Sequence, residues 1–183
     1  MNLTGQIIVS MPSLEDERFY KTVIYICAHS SEGSMGIIIN KKIDYDLYPD
    51  LLQQLGIDKP LNNKKLFIRY GGPVESGRGF VLHSDDMVRK ETLNIDKGVA
   101  LTSTAEFFDD LSKGKGPKNC ILALGYAGWQ PGQLESEIML NSWMSLSVDN
   151  SFLFDDEVSR KWSQAYKLIG IDPNSLSSES GRA

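Results

Sequence analysis

Histidine and cysteine are scarce, with two of each among 183 residues. His29 and His83 lie far apart in sequence, no His-Glu-x-x-His pair occurs, and Cys27 and Cys120 stand singly inside apolar runs. A metal site needs several deprotonated ligands converging on one point, so no metal is expected, and no cofactor either. The two thiols read as small buried hydrophobes of a reducing compartment. Basic charge is also short: 19 Lys and Arg stand against 24 Asp and Glu, a formal net charge of -5. That mean field repels phosphate backbones and disfavours nonspecific nucleic-acid binding. The groups Lys59, Lys64, Lys65, Arg69 and Lys113, Lys115, Lys118 read as solvated loop charge. Long apolar runs are missing as well. None approaches the ~18 residues of a spanning helix, and the short Ile7-Ile8-Val9 stretch has no basic residue ahead of it, unlike a signal peptide. The expected location is the cytoplasm, without a membrane partner.

Several enzyme signatures are absent too. Gly114-Lys115-Gly116-Pro117 lacks the hydroxyl and the glycine spacing of a phosphate-binding loop. Gly33-Ser34-Met35-Gly36 lacks the Gly-x-Ser-x-Gly spacing of a nucleophile elbow and reads as a hairpin turn entering a strand. Gly125, Gly128 and Gly132 are spaced unlike a dinucleotide fingerprint.

What is present is a chain that is 41% hydrophobic and 23% charged, the profile of a folded domain. Short runs rich in Val, Ile and Tyr predict strands over 6–10, 22–29, 35–40, 65–69, 79–83, 91–95, 99–102 and 119–124. Helices are punctuated more sharply. Pro49 and Gly56 bracket one; Ser103 with Glu106 reads as a capping box opening a second that ends by Gly114. Pro131 opens a third, through Leu134, Ile138 and Trp143, and Asp155 a fourth carrying Val158, Trp162, Ala165, Tyr166 and Ile169. Strands dominate the first two thirds without regular β-α-β alternation, so the expected class is α+β with a largely antiparallel sheet. One domain is expected over 1–173, followed by a flexible Ser-rich tail over 174–183.

Three segments exceed what turns and core require. Gly71-Gly72-Pro73 through Gly79 forms a glycine-rich corner that delivers Arg78, with His83 at the far end of the strand after it. Gly125-Tyr126-Ala127-Gly128-Trp129 runs through Pro131-Gly132 into a helix start carrying Gln133 and Glu135, where backbone N–H groups attract anions. The third, Gln133, Glu137 and Asn141 at i, i+4 and i+8, reads as a solvated polar ridge.

These residues resemble a known family. Gly5 to Pro12 with Phe19 and Thr22 to Tyr25, then His29 and Gly33 to Gly36 leading to Asn40, are similar to the opening hallmark of the bacterial YqgE/AlgH family. Gly71 to Val74 with Arg78 to His83 resembles its second hallmark, and Gly125 to Trp129 with Pro131 to Glu135, Glu137-Ile138 and Asn141 to Trp143 its third. The chain departs from the pattern at Asp16-Glu17-Arg18, where Asp-Pro is usual, and at Asn40-Lys41-Lys42, where a proline usually follows Asn-Arg. The resemblance implies an α+β fold whose bifurcated sheet curls into a pseudo-barrel packed by about four helices. It brings no established catalytic residues, although one branch is described as a transcriptional regulator of exopolysaccharide synthesis.

The expected function is that of a noncatalytic binding or regulatory protein. Its groove is lined by the two glycine-rich corners and takes a small anionic ligand or a protein partner. Arg78 and the Pro131 helix start hold the anion; Gly72 and Gly128 allow close approach; Tyr126 and Trp129 form flat walls; Asn40, His83, Gln133 and Glu135 supply hydrogen bonds. A first alternative is hydrolysis or proton transfer by His83, Glu135 and Arg78. A second is transcriptional regulation, direct or indirect.

Overall fold

A computed structural model describes residues 2–43 and 68–176. The helix expected at Pro49, the first residues of the 65–69 strand, Lys59, Lys64 and Lys65, and the tail beyond 176 lie outside the described residues.

The chain forms β1 (Ile7–Ser10), β2 (Val23–Ser30), β3 (Gly33–Ile38), β4 (Ile68–Tyr70), β5 (Val74–Ser84), β6 (Leu93–Asp96), β7 (Val99–Thr102), α1 (Ala105–Ser112), β8 (Cys120–Trp129), α2 (Gln133–Met139), β9 (Trp143–Leu146), α3 (Asn150–Phe154), α4 (Lys161–Leu168) and α5 (Pro173–Leu176). The strands form one sheet in the order β6-β7-β5-β8-β3-β2-β1-β9, antiparallel throughout, with β4 added parallel to β8. The fold is α+β, and the curled sheet stays open, with β6 and β9 at its ends. No helix among the described residues is long and apolar enough to cross a membrane.

β8 is the hub, because its ten residues pair with three strands. Along one edge it meets β5, from His83↔Cys120 to Val74↔Tyr126. The other edge forks: β4 pairs with residues 122–124, and β3 with residues 127–129. Gly71 sits in the fork, donating to the Leu124 carbonyl at 2.7 Å and accepting from the Ile38 amide at 2.9 Å.

The chain must then pass from one edge of β8 to the other within Gly71-Gly72-Pro73. It does so in backbone contact with Gly125 and Tyr126. A Cβ on Gly72, which has φ +150°, would lie 2.1 Å from the Tyr126 carbonyl carbon, and one on Gly125, φ +68°, 2.3 Å from the Gly72 oxygen. The two glycine-rich corners therefore adjoin as expected, but their backbones fill the space between them.

Strand parity divides the core. Val23, Tyr25 and Cys27 of β2 enter a cluster with Phe80, Leu82, Val99, Ala123, Trp162 and Tyr166, whereas Ile24 and Ile26 face Ile8, Trp129, Leu134 and Trp143 under α2. α1 caps a third cluster with Phe107, Phe108 and Leu111. Its N-cap is Thr104, not Ser103, because Thr104 accepts from the Phe107 amide while the Ser103 hydroxyl turns to Arg78. α4 is tied to the sheet by Trp162 Nε1 and Tyr166 Oη, which donate to the Ser10 carbonyl at 2.9 and 3.0 Å.

Sequence pattern also misplaces one helix end. α2 stops at Met139, and Asn141 takes a left-handed φ of 57°. Asparagine tolerates that conformation after a helix, so Trp143 leaves the helix and opens β9, which its sequence had not indicated.

Candidate functional site

Two groups of candidate side chains assemble on opposite faces of β8. Tyr126 and Trp129 differ in parity, so they cannot wall one groove. Tyr126 stands edge-on to Phe80 at 5.6 Å, and Trp129 is buried in the cluster under α2.

On the first face, β5 bulges. Val74 pairs with Tyr126 and Gly79 with Leu124, so residues 75–78 stand opposite Gly125 alone. The bulge presents Arg78, whose guanidinium lies 5.1 Å from the Phe80 ring centre and donates to Glu75 Oε2 and Ser103 Oγ, both at 2.9 Å. Gly72 and Gly128 border Tyr126 here, through its backbone and its ring respectively.

The second face is built by another bulge. In β2 the register shifts between Ile26 and Ala28, which inserts one residue and reverses the parity of everything after it. His29 thereby leaves the face of Tyr25 and Cys27 and turns toward α2. Its cross-strand partner is Ser34, whose Oγ lies 2.9 Å from His29 Nδ1, and on the far side Nε2 lies 3.5 Å from Glu135 Oε1. With the proton on Nε2, a hydroxyl, an imidazole and a carboxylate stand in line. The imidazole side chain is 4% exposed and the Glu135 side chain 38%.

Beside this line, Glu137 Oε2 accepts from both Trp129 Nε1 (3.0 Å) and Trp143 Nε1 (2.8 Å), and Oε1 from Gln133 Nε2 at 2.8 Å. Gln133 Oε1 in turn accepts from the Gln130 amide. The expected solvated ridge is thus corrected at Glu137, which turns inward because two indole N–H groups need an acceptor once buried.

The remaining candidates stand elsewhere. Asn40 accepts from the Val23 amide at 2.7 Å and donates to the Lys21 carbonyl at 2.8 Å, which braces the turn before β2. His83 is fully buried. Its Nδ1 donates to the Ser84 carbonyl and its Nε2 accepts from Thr102 Oγ1, both at 2.9 Å; Thr92 Oγ1 follows at 2.8 Å, itself accepting from the Arg89 amide. Burial holds the imidazole below its ordinary pKa, against the Ser84 carbonyl and the charges of Asp86 and Asp85, so His83 is neutral at pH 7.

The expected union of His83, Arg78 and Glu135 is overturned. His83 lies beside Cys120, Arg78 opposite Gly125, and Glu135 over the Trp129 end of a strand spanning about 30 Å. Sequence reasoning missed His29 and Ser34 as site members because the parity reversal follows from one unpaired residue. Glu137 was legible only as one of three polar positions at helical spacing. Among the described residues no group of three His, Cys, Asp or Glu could hold a metal ion.

An open, curled α+β sheet with a forked central strand, one face carrying a helix-covered polar layer, defines the class of protein. The AlgH-like family model matches residues 7–174, and the chain belongs to that family. It is 50% identical to a UPF0301 protein of Rhodopseudomonas palustris (strain BisB18), over 99% of this chain and 89% of that protein, and 48% identical to one of Bradyrhizobium diazoefficiens over 99% and 88%. The solution structure of the AlgH protein from Pseudomonas aeruginosa superimposes with a TM-score of 0.79 at 32% identity, covering 100% of this chain and 97% of that one. The crystal structure of protein DIP2367 from Corynebacterium diphtheriae shares the fold, with a TM-score of 0.73 at 18% identity over 98% and 93%.

Proposed function

We propose that the chain is a noncatalytic binding or regulatory protein that holds the anionic group of a small molecule or a partner protein at the β5 bulge. The observation that carries this reading is the placement of Arg78. Its side chain is 53% exposed, it lies over an aromatic ring, and its one carboxylate partner among the described residues, Glu75, stands three residues away on the same bulge and is also half-exposed. An exposed pair of this kind is worth about 0–1 kcal/mol. An incoming carboxylate or phosphate can therefore replace Glu75 at little cost, while Ser103 and the Phe80 ring keep the guanidinium aimed. Calorimetric titration with nucleotides and small carboxylates tests it. Saturable binding that Arg78→Ala abolishes is expected; binding that Arg78→Ala leaves unchanged removes the bulge from the site.

The Ser34, His29 and Glu135 line favours a second reading, an acyl-transfer site. Ser34 Oγ would pass its proton to His29 Nδ1 as it adds to an ester carbonyl, Glu135 would steady the Nε2–H, and the proton would go to the departing alkoxide. Acetylation of Ser34 by p-nitrophenyl acetate, lost in His29→Ala, is its test; an unlabelled Ser34 dismisses it.

A further inference from the structure

Two buried cations converge on one short stretch of chain. Arg69 of β4 is 2% exposed. Its Nη1 donates to the Ile39 carbonyl at 2.7 Å, its Nη2 lies 3.7 Å from Asp156 Oδ1, and its Nε has no hydrogen-bond partner among the described residues. Lys161, at the start of α4, is fully buried; its ammonium donates to the Phe152 carbonyl and lies 5.0 Å from the Phe152 ring centre. Arg69 and Lys161 thus grip the two ends of the Phe152 to Asp156 stretch.

Burying a charge is costly unless it is paired, and two like charges raise that cost. The compensation here is thin. Asp156 is 80% exposed and stands beyond good hydrogen-bond distance from the guanidinium. The strain registers on both cations: burial and then the Arg69 charge pull the Lys161 ammonium down to about 8 against Asp155 and Asp156, and burial lowers Arg69 against the same two carboxylates. The geometry of what is unfilled matters more. Nε and Nη2 form the side edge of the guanidinium, the edge that takes two oxygens of one planar or tetrahedral anion. Among the described residues one of its donors is unpartnered and the other is loosely held.

We propose that Arg69 and Lys161 form an anion site that takes the phosphate or carboxylate group of a small molecule, entering by displacement of Asp156 from the guanidinium edge. The site uses none of the side chains that the β5 bulge places around Arg78 and stands or falls independently of that reading.

Titration calorimetry on the full chain at neutral pH, with inorganic phosphate and with acetate in separate runs, tests the site. Saturable binding of at least one is expected, and which of them binds names the group. Asp156→Ala removes the internal competitor, and because the side chain is exposed the variant folds; binding should tighten about two- to fivefold, the worth of an exposed ion pair. Lys161→Met should weaken it about tenfold or more, with circular dichroism confirming the fold. Arg69→Lys keeps the charge but loses the fork, and should weaken it as well. Arg78→Ala should leave it unchanged. No saturable binding of either anion by the native chain and Asp156→Ala, weaker binding in Asp156→Ala, or an effect of Arg78→Ala as large as that of Lys161→Met would each overturn the proposal. Should Lys161→Met fail to fold, the Asp156→Ala comparison still decides.

Discussion

The two histidines mark opposite ends of β8 and live under opposite conditions. His83 closes a chain of hydrogen bonds from the Arg89 amide through Thr92 and Thr102 to the Ser84 carbonyl, with Phe107 stacked 4.6 Å from its ring. Both ring nitrogens are used, and Thr102 and His83 are both buried, so the imidazole near Cys120 is shut off from solvent. The His29 side chain is almost as buried, yet Ser34 and Glu135, which flank its ring, are both only partly buried. A histidine serves packing when its partners are internal. It can serve chemistry when its partners can also meet something arriving from outside.

Both ends depend on the crossing at the middle of β8, so the largest effect is expected there. Gly72→Ala would set a Cβ 2.1 Å from the Tyr126 carbonyl carbon at a φ of +150°. Backbone cannot yield as a flexible side chain can, and we expect a loss of about 4 kcal/mol or more, or failure to fold, in urea denaturation. Near-native stability of that variant would mean the chain passes β8 elsewhere and the two ends are not held by one hinge point.

His83→Ala comes next, at about 3 kcal/mol, because it opens a cavity beside Phe107 and takes the imidazole partner from the Thr102 hydroxyl proton and the Ser84 carbonyl. A pH series sharpens the same point. The folded imidazole titrates below its ordinary value near 6.5, so as pH falls past that value the unfolded chain takes up the proton first. The native state is therefore expected to lose stability from about pH 6.5 downward until His83 itself protonates. His83→Gln should remove that share of the slope in denaturation midpoints measured between pH 7 and pH 5.

The contrast between the ends also shows how far the sequence alone reveals the fold and the site. Strand positions from Ile7 to Thr102 followed from Val, Ile and Tyr runs bounded by glycine, and these set the α+β class, since local propensity and burial agree there. The same period of two told nothing about His29, because a one-residue bulge at Cys27 is invisible in an apolar run and reverses every later side chain. Trp129, Gln133 and Glu135 were recognised together because they are neighbours in sequence. Arg69 and Lys161 were not, since nothing in a β4 arginine and an α4 lysine separated by half of the chain announces that they grip the same stretch. Gly71, Gly72 and Gly125 do mark close approach, but what approaches is the protein's own backbone, and Gly77 and Gly132 stand in open space.

The smallest expected effect tests the comparison most directly. His29→Ala removes one hydrogen bond to Ser34 and a 3.5 Å contact with the Glu135 carboxylate. Unlike the buried Thr102 hydroxyl, both can turn to water once the ring is gone, so neither is left buried without a replacement partner. A cost of about 1 kcal/mol is expected in the same urea experiment, clearly below that of His83→Ala. If the two alanine variants cost the same, His29 is as much a packing residue as His83, and the α2 face loses its claim to chemistry. If His29→Ala is mild and Ser34 is also left unlabelled by p-nitrophenyl acetate, the open end remains a binding surface and the β5 bulge carries the function.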